Sequence, residues 1–197
     1  MSLKEVLLTL TSIETGDVYC ARSYPHSDFN KNGRTELYGV PVYKLTLKST
    51  LGVRTWKCLR FMPYWNDPEN PSPHYRHKGW ANSGLADPIT RKAVTNYNKN
   101  YRVQNTPSPY DGAIQIRDSF LIHAGPSTLK EWGWGAAGCV EVIGNFTLFK
   151  KDIRDLSGSE VSDFDNAILQ LIKEKKLILT LQKAVRPNLK KNLLGEI

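Results

Sequence analysis

Two alternating runs, YGVPVYKLTLK (38–48) and GVRTWKCLRF (52–61), flank the short stretch Ser49-Thr50-Leu51-Gly52. Period-two alternation of β-branched and aromatic residues suits a half-buried strand, and a short turn between two such runs predicts a hairpin. A chain committed to a hairpin of this length must bury its apolar face against more sheet or against helices, so a β-rich domain follows. Further strands are expected at 4–13 (KEVLLTLTSI) and 17–22 (DVYCAR), joined at Thr15-Gly16. Two more are expected within DGAIQIRDSFLIHAG (111–125), around an Arg117-Asp118 turn, and a last one in LILTLQKAV (177–185).

The clearest helical period is in SDFDNAILQLIKEKK (162–176). Ser162 or Asp163 would cap it, with Ala167, Ile168, Leu171 and Ile172 on one face. DPITRKAVTNYNKN (87–100) predicts a short helix, with Asp87 as cap and Pro88 in its first position. The run GCVEVIGNFTLFKKDIRDL reads equally as a strand or a helix start. Between Met62 and about Tyr110, Pro, Asn, Gly and aromatic residues crowd PYWNDPENPSPHYRHKGWANSG and predict an irregular flap. The 197 residues are read as one α+β, β-rich domain spanning 1–197.

The formal charge of +8 favours acidic partners: nucleic acid, an anionic surface or a polyanionic wall polymer. The basic residues are scattered, and no run of 18 apolar residues could span a bilayer. The N-terminus lacks the small-residue cleavage site of a secretory signal. Three cysteines form no disulfide framework; in an oxidising compartment Cys20 and Cys58 are the expected pair, leaving Cys139 as a free thiol. His74 and His77 have an H-x2-H spacing, with Cys20, His26 and Cys58 as conceivable further ligands, but no CxxC or HExxH accompanies them. No metal or cofactor is expected.

One segment combines groups with chemistry: FLIHAGPSTLKEWGWGAAGCVEV (120–142). An apolar run ends on His123, a loop with glycines at 125, 133, 135 and 138 follows, and Cys139 opens the next apolar run. A cysteine is a useful nucleophile as a thiolate, and a neighbouring imidazole makes that form accessible. An antiparallel return of this length would bring both side chains to one end of a sheet. A glycine before the cysteine permits a tight turn that aims amide N–H groups at a developing oxyanion.

The run I-H-A-G…G-A-A-G-C-V resembles the active-site segment of L,D-transpeptidase catalytic domains, the YkuD-like family. That family places a histidine at a strand end, then about fifteen residues, then Ser/Thr-His-Gly-Cys and an apolar residue. The match falls on His123, Gly138, Cys139 and Val140, and the resemblance covers about residues 107 to 145. The chain departs from the pattern at Ala136-Ala137, where Ser/Thr-His is usual, and at Glu141, where Arg or Asn often stands.

The resemblance implies a fold of the L,D-transpeptidase type and a cysteine-dependent acyl transfer or hydrolysis on peptidoglycan stem peptides. Cys139 would be the nucleophile and His123 its base, oriented by the Ala124 carbonyl. Backbone N–H groups of Gly138 and Cys139 would hold the oxyanion, with that of Ala137 standing in for the missing histidine's. Trp132 and Trp134 would wall the donor groove; Tyr64, Trp65 and Trp80 would form a cap. The implied place of action is the periplasm or cell wall. With no cleavable signal visible, the expected alternatives are a protein that stays in the cytosol, one that leaves by a route needing no cleaved signal, or a sequence trimmed at its start. Delivery by a secretion machine as an antibacterial effector, with an immunity protein as partner, or a phage origin would fit a wall substrate.

Two rival readings are a wall- or glycan-binding module with the same fold and no reaction, and a basic nucleic-acid binder. The second rests on aromatics interleaved with basic residues, as in HYRHKGW and NYNKNYR. A papain-like hydrolase is disfavoured, because there the cysteine precedes the histidine.

Overall fold

The computed structural model describes residues 2–28, 31–65, 78–81, 87–103, 111–136, 138–186, 188 and 193–197. Within them lie one large mixed sheet, a small sheet and two helices, a β-rich α+β arrangement. The expected hairpin is β3 (Glu36–Ser49) with β4 (Gly52–Leu59), paired from Val42↔Leu59 to Ser49↔Gly52. Beside it runs β1 (Val6–Arg22), antiparallel to β3.

This first strand corrects an expectation. Thr15-Gly16 does not turn the chain; β1 continues through it, absorbing the irregularity as two register shifts between Leu10 and Val18. Gly16 takes φ +86°, and extra residues in one strand of a pair strengthen its bend without ending it. Arg60, fully buried, donates from its guanidinium to the carbonyls of Thr11 and Gln182 at 2.8 Å each, tying the bend to the chain after the last core strand.

That strand, β13 (Leu177–Leu181), runs parallel to β1 and is covered on its other edge by β7 (Ile89–Ala93). The helix expected at 87–100 is therefore absent. Asp87-Pro88 imitates a helix start, but the β13 backbone needs an edge partner, and Ile89-Thr90 suits that role. Arg91, at φ +36°, lies at the irregularity in this pairing.

The run after Cys139 is strand and then helix: β12 (Val140–Ile143), then α1 (Phe146–Ser157). The Asn145 side chain accepts from Leu148 N–H, and Gly158 ends the helix in the left-handed conformation. Phe146, Phe149, Ile153 and Leu156 face the sheet, with Phe149 edge-on to Trp56 of β4. The expected second helix is α2 (Phe164–Lys173), capped by Asp163. Lys150 of α1 donates to Asp165 of α2 at 2.6 Å, and the Tyr97 hydroxyl donates to the same carboxylate.

The chain around the expected Arg117-Asp118 turn forms β9 (Ala113–Arg117) and β10 (Phe120–Ala124). Within the expected flap, β5 (Pro63–Trp65) pairs with β6 (Lys78–Trp80) and with β2 (Tyr24–Pro25) in the small sheet. Residues 66–77, 82–86 and 104–110, including His74 and His77, lie outside the described residues. All three cysteines are free thiols, so the Cys20–Cys58 pair is not formed; Cys58 is sealed in the core and Cys20 is only partly covered.

Candidate functional site

β10 and β12 pair in parallel, with Ile122↔Val140, His123↔Glu141 and Ala124↔Val142 in register. This corrects the expected antiparallel return. Parallel neighbours require a crossover, which here is the loop from Gly125 to Cys139, with β11 (Trp132–Gly133) laid along β1. Cross-strand partners in register share a face of the sheet, so His123 and Glu141 are neighbours across the pair, and Cys139 comes just before β12, two residues ahead of Glu141 along the chain. His123 is thus on one strand of the pair, and Cys139 stands at the entry to the other.

His123 is 5% exposed, and its Nδ1 lies 2.7 Å from the Ala124 carbonyl oxygen. That contact places the proton on Nδ1 and leaves Nε2 as the basic nitrogen. Burial pushes the imidazole below its ordinary pKa of 6.5, opposed in part by the Ala124 hydrogen bond. The ring is therefore neutral at pH 7, the state a general base requires.

Cys139 is half-buried. Burial pushes its thiol above the ordinary 9.0; the Leu121 amide N–H, donated toward the sulfur, works the other way, and the charge of Glu141 raises the thiol further. In the resting state the thiol and the imidazole are both neutral, and no hydrogen bond joins them.

The local backbone is specific. Gly138 has φ +83°, and a Cβ there would come within 2.8 Å of the Phe120 ring, so the turn before the sulfur admits little but glycine. Its N–H donates to Ala136 O at 3.1 Å, so in this resting geometry it is engaged within the loop. Ala137 lies outside the described residues. Gly125 is equally tight: a Cβ would meet Glu141 Cβ at 2.7 Å.

Two groups that the sequence did not single out for the site join it here. The Tyr101 ring sits 5.2 Å from the His123 ring, and its phenol is pushed up by burial and then by the charges of Cys139 and Glu141. Tyr101 stands in the chain after β8 (Tyr97–Asn98). The Tyr19 phenol of β1 is pushed up first by burial and then by the charges of Glu141 and Glu131. Neither lies near the His/Cys segment along the chain, so no local signal points to them. Glu141 itself stood out only as a departure from the family pattern. Burial pushes its carboxyl up to about 7.

Trp132 and Trp134 remain exposed on the crossover loop. The Arg22 guanidinium lies over both indoles, 4.1 Å from the centre of Trp134 and 5.5 Å from that of Trp132, and Tyr24 meets Trp134 edge-on. Trp65 and Trp80 are buried and Tyr64 is half-buried, so the small sheet presents few aromatic faces to solvent. Trp65 packs on His26 and Trp80 on Phe61. Among the described residues no cluster of three metal-ligating side chains occurs. No family model, curated protein or solved structure matches the chain.

Proposed function

We propose that the chain is a cysteine-dependent acyl transferase or hydrolase acting on peptidoglycan stem peptides, a divergent relative of the L,D-transpeptidase domains with a fold of their type. The observation that carries this reading is the oriented, neutral His123 on a strand paired in parallel with the one that Cys139 opens. His123 Nε2 takes the thiol proton as sulfur attacks a peptide carbonyl, and the imidazolium returns it to the departing amine. A thioester on Cys139 remains, and an amine or water resolves it.

Exposed Trp132 and Trp134, with Arg22 between them, suit one wall of the donor groove. The oxyanion donors include the Cys139 amide, and Gly138 joins them once its N–H exchanges Ala136 for substrate. The formal charge of +8 favours association with an anionic wall polymer. The site of action in this reading is the periplasm or wall.

Mass spectrometry of purified muropeptides tests the reading. Wild type should convert tetra- or pentapeptide stems, and Cys139→Ala should not. Unchanged muropeptides with wild-type protein would sink it. A second reading, a wall-binding module without reaction, is favoured by one observation: burial holds the Cys139 thiol protonated. That module would bind muropeptides, leave them intact and be indifferent to His123→Ala.

A further inference from the structure

Arg22 takes no part in the acyl-transfer chemistry, yet two indoles enclose it. β11 lies parallel to β1 with Cys20↔Trp132 and Ala21↔Gly133 in register, so Trp132, Cys20 and, two residues on, Arg22 share the face opposite sealed Ala21. A Cβ at Gly133 would come within 2.8 Å of the Tyr19 hydroxyl, so glycine lets the loop lie close against β1. The aromatics stay open to solvent: Trp132 is 51%, Trp134 38% and Tyr24 48% exposed. The Arg22 guanidinium lies 4.1 Å from the Trp134 ring centre and 5.5 Å from that of Trp132.

Other arginines of the chain indicate what such a group takes. Arg154 lies over the Phe164 ring at 4.7 Å and also pairs with Asp155 at 2.6 Å. Arg91 pairs with Glu5 at 2.7 Å, and Arg60 donates to two carbonyls. Arg22 has the stack without the acceptor. Its Nε is buried with no hydrogen-bond partner, and among the described residues neither terminal nitrogen has a hydrogen bond or ion pair. Stacking occupies the flat faces of a guanidinium, fixes its plane and leaves its N–H edge free. That edge suits an acceptor with two oxygens in one plane, the geometry of a carboxylate. On the neighbouring strand β3, Gly39 and Leu37 stand opposite Cys20 and Arg22, so this floor brings no second cation. One guanidinium fits a single negative charge better than a phosphate dianion.

We propose that Arg22, held between Trp132 and Trp134, is a recognition site for the free C-terminal carboxylate of a peptide, with the exposed indoles and Tyr24 receiving the apolar part of its last residues. The site stands on geometry and needs no reaction. Where the acyl-transfer reading holds, it deepens that reading by naming the end of the donor that this wall grips, and for that role alone it rests on it.

Nitrogen–proton NMR of the indole N–H groups tests the binding without any wall substrate, with Trp132 and Trp134 assigned from their Trp→Phe variants. N-acetylalanine, ionised near neutrality, is compared with its uncharged primary amide. The carboxylate should shift both indole signals saturably, and the amide should not. In Arg22→Gln the affinity should fall about tenfold or more, the scale of a charge-assisted contact. The indole signals of Trp56 and Trp80 should keep their positions there and so report an intact fold. Arg22→Lys, which keeps the charge and loses the planar fork, should recover only part of the affinity. Equal shifts with the amide, no shift in wild type, or unchanged affinity in Arg22→Gln would overturn the site. Tighter binding of inorganic phosphate or N-acetylglucosamine than of the carboxylate would overturn the peptide end as its occupant. Failure of the two readings is separable. Arg22-dependent carboxylate binding with unchanged muropeptides would sink the wall substrate and keep the site. Muropeptide turnover with the same preference between free and amidated stem termini in wild type and Arg22→Gln would sink the donor role and keep the wall substrate.

Discussion

The hairpin half of the sheet and the β10–β12 half are built from the same kind of strand, yet they bury different things. Around β3 and β4 the sealed side chains are Val40, Val42, Tyr43, Leu45, Leu47, Cys58 and Leu59, backed by Phe149 and Ile153 of α1. Arg60, fully buried there, donates from its two terminal nitrogens to two carbonyls, while its Nε has no hydrogen-bond partner among the described residues. Across the shared edge, β10 and β12 cover His123 and desolvate Glu141, and among the described residues neither forms an ion pair. The two thiols make the contrast sharp. Cys58 is driven up to about 12 by complete burial, against which the Arg60 charge works only in part. Cys139 is raised as well, but Leu121 N–H offsets part of it and His123 stands on the adjacent strand. The first half is sealed hydrocarbon around one buried guanidinium; the second holds ionisable groups whose pKa values burial displaces.

The largest expected effect is on the apolar half. Leu45→Ala, at a fully buried position, should destabilise by about 2–5 kcal/mol in denaturant titration. A loss well below 1 kcal/mol would mean that this half is not the stabilising one.

Glu141→Gln should act in the opposite direction, and only above neutrality. A carboxyl raised in the folded state binds protons that the unfolded chain has lost, so its burial is tolerated at low pH and destabilises as pH rises from 4.5 through about 7. The gap corresponds to about 3 kcal/mol at most. The variant should therefore be more stable than wild type at about pH 8 and similar near pH 5. His123 has the reverse sense of pH dependence. Its lowered pKa leaves it neutral when folded, so its contribution is lost as pH falls below 6.5. A pH-independent difference between wild type and Glu141→Gln would contradict the burial of the carboxyl.

Gly138→Ala should lower Cys139 reactivity and cost about 1–2 kcal/mol, from the left-handed φ and the contact with Phe120. The smallest effect separates helix from site: Asn145→Ala removes the α1 cap and should cost about 1 kcal/mol without changing Cys139 alkylation. Altered alkylation there would show that the halves are coupled through Gly144.

What the chain revealed in advance follows the same division. The 38–61 hairpin, the turn at Arg117-Asp118 and α2 were legible because their signals are local: alternation, a turn, a cap before a 3.6-residue period. Helix α1 was half-hidden, since Phe146, Phe149, Ile153 and Leu156 start just after the strand Val140–Ile143. Strand β7 was misread because its identity depends on the distant β13 edge, and β14 (Leu193–Glu196), which was not anticipated, similarly depends on β3. At the site, His123 and Cys139 were named from the loop itself, and the Ala124 carbonyl from the family resemblance. Tyr101 and Tyr19 come from other elements, and the parallel sense of the β10–β12 pair is fixed by where β4 and β9 lie, which spacing does not encode.

The pH profile of Cys139 alkylation in wild type and His123→Ala tests the central claim most directly. With a neutral thiol beside a neutral base, His123→Ala should slow the reaction about tenfold or more near neutrality, within the range of general-base assistance. The two profiles should converge at high pH, once the thiolate forms unaided. Equal rates near neutrality would mean that the imidazole does not serve the sulfur, and the nucleophile–base account would fall.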